Sequence, residues 1–131
     1  MNDMDRKQLI AHISETYNAD IEYLWENAPD CGIFRHADSR KWFALVMGVR
    51  RDRLGLRGSD TVDVLNLKCD PLMHGSLCTE EGIIPAYHMN KQQWISVLLD
   101  GSVTDDMIKG LINMSFDLTD TKPKRTKRRK V

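Results

Sequence analysis

Gly82–Leu99 reads GIIPAYHMNKQQWISVLL. A short apolar pair, Ile83-Ile84, is stopped by Pro85, a residue that cannot donate to a strand ladder. Tyr87, His88, Asn90 and Lys91 then stand together in a polar, aromatic junction. Trp94, Val97 and Leu98 follow at i, i+3 and i+4, the spacing of one helix face. Asn90 occupies the N-cap position just ahead of them. The stretch predicts a strand, a tight junction and a helix. A junction of this composition belongs at the surface, where binding groups collect. Trp25, Tyr87, His88 and Asn90 are the candidate cleft residues.

Upstream, Asp70-Pro71 opens a helix, with the acid as N-cap and proline in the first turn. Before it, Thr61–Lys68 (TVDVLNLK) alternates as a half-buried strand does. Lys41–Arg50 (KWFALVMGVR) is the strongest strand of the chain, apolar enough to be buried on both faces. Cys31–Arg35 precedes it across a five-residue turn, so the two form a hairpin. Residues 51–60, basic and carrying Gly55 and Gly58, form a long tip or loop. Ile21–Trp25 is a further strand candidate. Residues 4–17 form a first helix burying Leu9, Ile10, Ile13 and Tyr17, with Asp3 as N-cap.

Downstream, Asp100-Gly101-Ser102 is a stop. Thr104-Asp105-Asp106 starts a last helix, with acids where the dipole favours them. The order is helix, antiparallel strands, helix, strand and two helices. It predicts an α+β domain, an antiparallel sheet with helices on one face, over residues 1–120. Residues 121–131 (TKPKRTKRRKV) are a basic tail that cannot bury a core and is disordered when free.

The 131 residues suit one domain. No apolar run reaches the roughly 20 residues of a membrane helix. The N-terminus lacks a signal-peptide core, which implies a cytoplasmic protein. The three cysteines, Cys31, Cys69 and Cys78, form no CxxC pair and read as semi-buried free thiols. His12, His36 and His74 share no metal-ligand spacing with one another or with the cysteines, so no metal site and no cofactor are implied. His88 lacks a nucleophile or carboxylate partner, so no catalytic residue is assigned and a non-enzymatic role is expected.

Net charge is zero, but by cancellation. Residues 1–34 carry seven acids and two bases, and residues 69–120 carry eight acids and two bases. Residues 35–68 carry eight bases and four acids, and residues 121–131 carry seven bases and no acid. Such segregation points to a polyanionic partner. The candidate phosphate contacts are Arg35, Arg40, Lys41, Arg50, Arg51, Arg53, Lys68 and Lys91. Lys122, Lys124, Arg125, Lys127, Arg128, Arg129 and Lys130 of the tail join them.

Trp25, Pro29, Arg35, the run Lys41-Trp42-Phe43-Ala44, Leu67-Lys68 and the run Pro85–Lys91 with Trp94 resemble the MmcQ/YjbR family. The resemblance covers residues 5–118. It implies a CyaY-like, double-wing domain described as DNA-binding, with no catalytic residues to transfer. Two alternatives accompany that reading. One is a non-catalytic protein- or ligand-binding module centred on Tyr87-His88. The other is weak, frataxin-like metal binding by the acids near helix 1: Asp3, Asp5, Glu15, Asp20 and Glu22.

Overall fold

The computed structural model describes residues 4–87 and 89–120. Helix α1 spans Arg6–Tyr17. Strands β1 (Glu22–Tyr23), β2 (Gly32–Arg35), β3 (Trp42–Arg50) and β4 (Thr61–Lys68) follow. Helix α2 (Pro71–Leu77), strands β5 (Ile83–Pro85) and β6 (Trp94–Leu98), and helix α3 (Asp105–Thr119) complete the chain. The strands form one antiparallel sheet in the order β1-β2-β3-β4-β6-β5. The α+β class and the hairpin of β2 with β3 are as the sequence predicts.

Local chemistry explains the helix starts. Asp5, rather than Asp3, caps α1: its carboxylate accepts the Gln8 amide while the Gln8 side chain accepts the Asp5 amide. Met4 and Leu9 flank this capping box at the positions of a hydrophobic staple, and both are buried in the main core. Asp70 caps α2 by accepting the Leu72 amide, and Thr104 caps α3 by accepting that of Met107.

One predicted element is overturned. Trp94–Leu98 is a strand, paired with both β4 and β5, and not a helix. Ile95, Ser96, Val97 and Leu98 are all buried. A continuous buried run contains the i, i+3, i+4 set without having its period. Ile95 and Val97 are β-branched and suit a pleated surface. The backbone of β4 would also lack partners without this strand. Asn90 therefore caps no helix. Its side chain accepts the Gln92 amide and its carbonyl accepts the Trp94 amide, which closes the turn into β6. One helix follows, not two, and the helices packed on the sheet are α1 and α3.

Leu9 and Ile13 of α1 and Ile108, Leu111 and Ile112 of α3 meet Phe34, Val46, Leu65, Leu67, Ile95 and Val97 in the main core. Between Phe34 and Arg35 the register with β3 skips one residue, so Ala44 faces Phe34 while Trp42 faces Arg35. Phe43 is the extra residue of a β-bulge. The bulge lets Phe43 and Ala44 both enter the main core and turns Trp42 to the opposite face, with Leu45.

The bulge also ends the β3–β4 ladder at Ala44–Leu67. The next rung would join the Lys68 amide to the Phe43 carbonyl. Ser115 of α3 fills that gap. Its hydroxyl accepts the Lys68 amide at 2.9 Å and donates to the Phe43 carbonyl at 2.6 Å. Thr119, one turn on, donates to the Ser115 carbonyl and meets His36 Nε2 at 2.8 Å. His36 is thus a packed, buried histidine.

Among the described residues no helix is long and apolar enough to cross a membrane. Cys31, Cys69 and Cys78 are free, two buried and one half-buried.

Replacing Ser115 with alanine strands a buried amide and a buried carbonyl together. The expected cost is about 1–3 kcal/mol. Urea denaturation should show a lower midpoint at an unchanged slope, and an unchanged midpoint would refute the bridging role.

A candidate binding cavity opposite the helices

The sheet face turned away from α1 and α3 is also apolar. Ile33 and Leu45, with Cys31, form one cluster there, and Val49, Val62, Val64 and Leu98 form a second. No α-helix covers this face among the described residues; Leu54, from the single 3-10 turn Arg51–Leu54, and Leu56 pack on its second cluster. Two further connecting segments fold over it.

The first is the loop before β2. β2 ends its pairing at Gly32–Val46, leaving the Gly48 amide beyond it. The Asp30 carboxylate accepts that amide at 2.9 Å, as a side-chain substitute for the next rung. Arg6 of α1 holds the same residue, donating to the Asp30 carbonyl at 2.8 Å, and its guanidinium reaches Asp63 on β4 at 3.2 Å. A Cβ at position 48 would lie 2.9 Å from the Asp30 carboxylate and 3.0 Å from the Thr61 methyl. Glycine is needed there for that close approach. The loop so anchored brings Trp25 edge-to-face onto Trp42, with ring centroids 5.6 Å apart.

The second segment is the junction after β5. Asn66 and Ser96 are polar and buried on adjacent strands. Ser96 donates to the Asn66 carbonyl oxygen. Asn66 in turn donates to the Tyr87 carbonyl at 3.0 Å, and Ser96 accepts the Tyr87 amide at 3.0 Å. This pair pins the backbone of Tyr87 across the sheet, and every member is satisfied, as a buried polar network requires.

Between the two segments lies a cavity of about 550 Å³. Leu45, Met47 and Val49 of β3 form its floor, and Trp25, Trp42, Tyr87 and Met89 its walls, with Arg50 and Arg53 at one end. A second cavity of about 290 Å³ shares Arg53 and Tyr87 and is lined further by Leu54, Ile84, Pro85 and Lys91. Cys31 lines the larger cavity, and burial, reinforced by the charge of Asp30, pushes its thiol up. It stays protonated at neutral pH and is a poor nucleophile.

Of the cleft residues expected from sequence, Trp25 and Tyr87 line this cavity, Asn90 is a turn residue outside the lining, and His88 lies outside the described residues. Sequence reasoning missed Trp42, Leu45, Met47 and Met89. The available signal was the two-faced apolarity of β3, which demands a cover on both sides. Trp94 is half-buried beside this cluster and is not part of the main core.

The candidate phosphate contacts do not form one surface. Arg35 donates twice to Glu22, at 3.1 and 2.8 Å, and Arg40 reaches the same carboxylate at 3.3 Å. Arg50 pairs with Asp52 at 2.7 Å, and Arg51 with Asp60 at 3.1 Å and Asp100 at 3.5 Å. Arg35, Arg40, Lys41 and Lys68 sit at the Trp42 end of β3, and Arg50, Arg51 and Arg53 at its other end. Nine strand residues separate these groups by roughly 27 Å. Lys91 donates to the Ala86 carbonyl at 2.7 Å. The tail cations, Lys122 to Lys130, lie outside the described residues.

Of the acids near α1, Asp3 lies outside the described residues and three others are engaged. Asp5 caps the helix, Asp20 accepts from Ser14, and Glu22 binds Arg35. Among the described residues no three potential ligands of the His, Cys, Asp or Glu type gather into a metal site.

A sequence model described as YjbR matches residues 14–118. The YyaQ protein of Bacillus subtilis is 39% identical over 116 residues, covering 88% of this chain and 98% of that protein. A crystal structure of a Pseudomonas syringae protein superposes with a TM-score of 0.88 at 44% identity, covering 89% of this chain and all of that one. A Deinococcus radiodurans protein with a DUF419 domain shares the fold at 22% identity, with a TM-score of 0.69 over 92% of this chain and 81% of that one.

Hydrogen bonds from Arg35, with the charges of Arg35 and Arg40, hold the Glu22 carboxyl below its usual range. A depressed carboxyl contributes stability that is present above about pH 4.3, its unfolded value. That contribution is lost as pH falls through the folded value. The acid limb of a stability–pH curve should therefore be shallower for Glu22→Gln than for the parent, with the two curves parallel near neutrality. Identical acid limbs would refute the assignment.

Proposed function

This chain belongs to the YjbR family, and we propose that it is a non-catalytic binding module whose ligand enters the cavity opposite the helices. The observation that carries this reading is the cavity itself. Its volume of about 550 Å³ falls within the usual range for small-molecule sites. Its lining is mostly aromatic, aliphatic and thioether, with a few polar groups such as Asp30, Arg50 and Arg53, the composition that lets such sites bind an apolar body and orient it. Among the described residues, four of the five arginines expected to grip phosphate are instead paired with carboxylates of the same domain.

All three tryptophans of the chain, Trp25, Trp42 and Trp94, pack on this face. Their indole N–H signals therefore report on it directly. In an NMR screen of small neutral aryl compounds, binders should move the Trp25 and Trp42 signals. A Met47→Trp substitution fills the floor and should weaken those binders at least tenfold while the far-ultraviolet circular dichroism is kept. Binders that shift only residues of α1 or α3, or that tolerate the filled floor, would refute the site.

A second reading, DNA binding, rests on a separate observation, the seven cations and no acid among residues 121–131. Residues 1–120 carry 19 acids against 12 bases, so the body repels polyanions and the tail would dominate any contact. On this reading log affinity for duplex DNA falls with log salt by about 0.9 per phosphate neutralised. Deleting residues 122–131 should flatten that slope for two unrelated duplexes alike, because backbone contacts carry no sequence information. Absence of binding by the full chain at low salt would end this reading and leave the cavity untouched.

A further inference from the structure

We infer that the ligand of this face is an aryl acid, its ring in the larger cavity and its anionic group in the adjoining one between Arg53 and Lys91. The inference rests on the cavity reading above and adds the ligand's chemical class.

The two cavities share Arg53 and Tyr87 in their linings. The inferred ligand spans both, passing Tyr87. The charged groups around this junction differ in what they have left to offer. Arg50 spends its guanidinium on Asp52, in contacts of 3.1 and 2.7 Å. Arg53 is exposed, and among the described residues no carboxylate lies within ion-pair distance of it. Lys91 gives one hydrogen to the Ala86 carbonyl and keeps two further donors. Asp30, an acid of the larger cavity, is already bound by the Gly48 amide and faced by Arg6 at 3.7 Å. An incoming anion thus meets two cations that, among the described residues, no carboxylate holds in an ion pair, although Asp52 acts on Arg53 from further off, and an incoming cation meets two like charges and an acid already in use.

The body of the ligand follows from the walls. Trp25 and Trp42 stand edge-to-face, and an aromatic ring beside them continues that packing. Met47 and Met89 add polarizable sulfurs that favour ring edges and adapt to shape. At the other end Leu54, Ile84 and Pro85 give apolar contact beside the two cations, whose hydrogen bonds to an anion are charge-assisted.

Three probes separate the components: 2-naphthoate, its neutral counterpart 2-naphthamide, and the alkyl acid decanoate. Each is titrated calorimetrically and by the Trp25 and Trp42 indole signals into the full chain, Arg53→Ala and Lys91→Gln at physiological salt. The tail is present in all three proteins, so its charge cancels from the comparison. Naphthoate should bind at least tenfold tighter than naphthamide and tighter than decanoate. Each substitution should weaken naphthoate about tenfold and naphthamide by much less. Equal binding of naphthamide and naphthoate, or no effect of Arg53→Ala, overturns the acid while the cavity stands. Tighter binding of decanoate overturns the aryl body. If no probe moves the indole signals, the cavity reading fails and this inference with it.

Discussion

The Ser115 hydroxyl sits where a rung of the sheet is missing, between the Lys68 amide and the Phe43 carbonyl. A bulge in a central strand costs ladder bonds, and stranded buried backbone groups are among the more expensive local defects. Here a helix supplies the missing bond. The same contact seats α3 on the sheet, so the helix layer and the strand irregularity are one arrangement. Thr119 and His36 extend it by a turn, joining the end of α3 to the exit of β2.

What the bulge achieves is a change of side. Strict alternation would place Trp42 on the same face as Ala44 and Val46, under the helices. The extra residue sends Phe43 inward and Trp42 outward. An indole outside the main core needs a cover, and the anchored loop before β2 provides it with Trp25. The Gly48 amide, left beyond the end of β2, is taken by Asp30. The cavity is thus bounded by side chains that complete hydrogen bonds the regular sheet leaves open. Its other wall follows the same logic, with Asn66 and Ser96 holding the Tyr87 backbone. Such walls are rigid where they are bonded and adaptable where methionine lines them, a combination suited to binding a compact apolar group.

Charge shows how far composition and geometry diverge. Residues 35–68 carry twice as many bases as acids, and in sequence they read as a polyanion-binding strip. In the fold, Glu22, Asp52, Asp60 and Asp100 take up Arg35, Arg40, Arg50 and Arg51. The acid partner of Arg50 is two residues on, those of Arg51 are nine and 49 residues on, and Arg35 and Arg40 share Glu22 of β1. Exposed pairs of this kind add little stability each, but they lower the positive potential that free guanidinium groups would present.

The sequence by itself determined the α+β class, the hairpin of β2 and β3, the alternating β4, the Asp70-Pro71 start of α2 and the Thr104 start of α3. Each of these rests on a local signal, a cap, a turn or a two-residue period, that no distant contact needs to supply. It also picked out Trp25 and Tyr87. The tertiary structure decided whether Trp94–Leu98 was helix or strand, because a short run buried on both sides has no readable period and the open edge of β4 settled the matter. It decided the side of the sheet on which Trp42 lies, because a bulge is a mismatch between two strands and is invisible in either alone. It also decided which arginines remain open to a ligand, because an ion pair between Arg35 and Glu22 or between Arg51 and Asp100 exists only once the chain has brought them together.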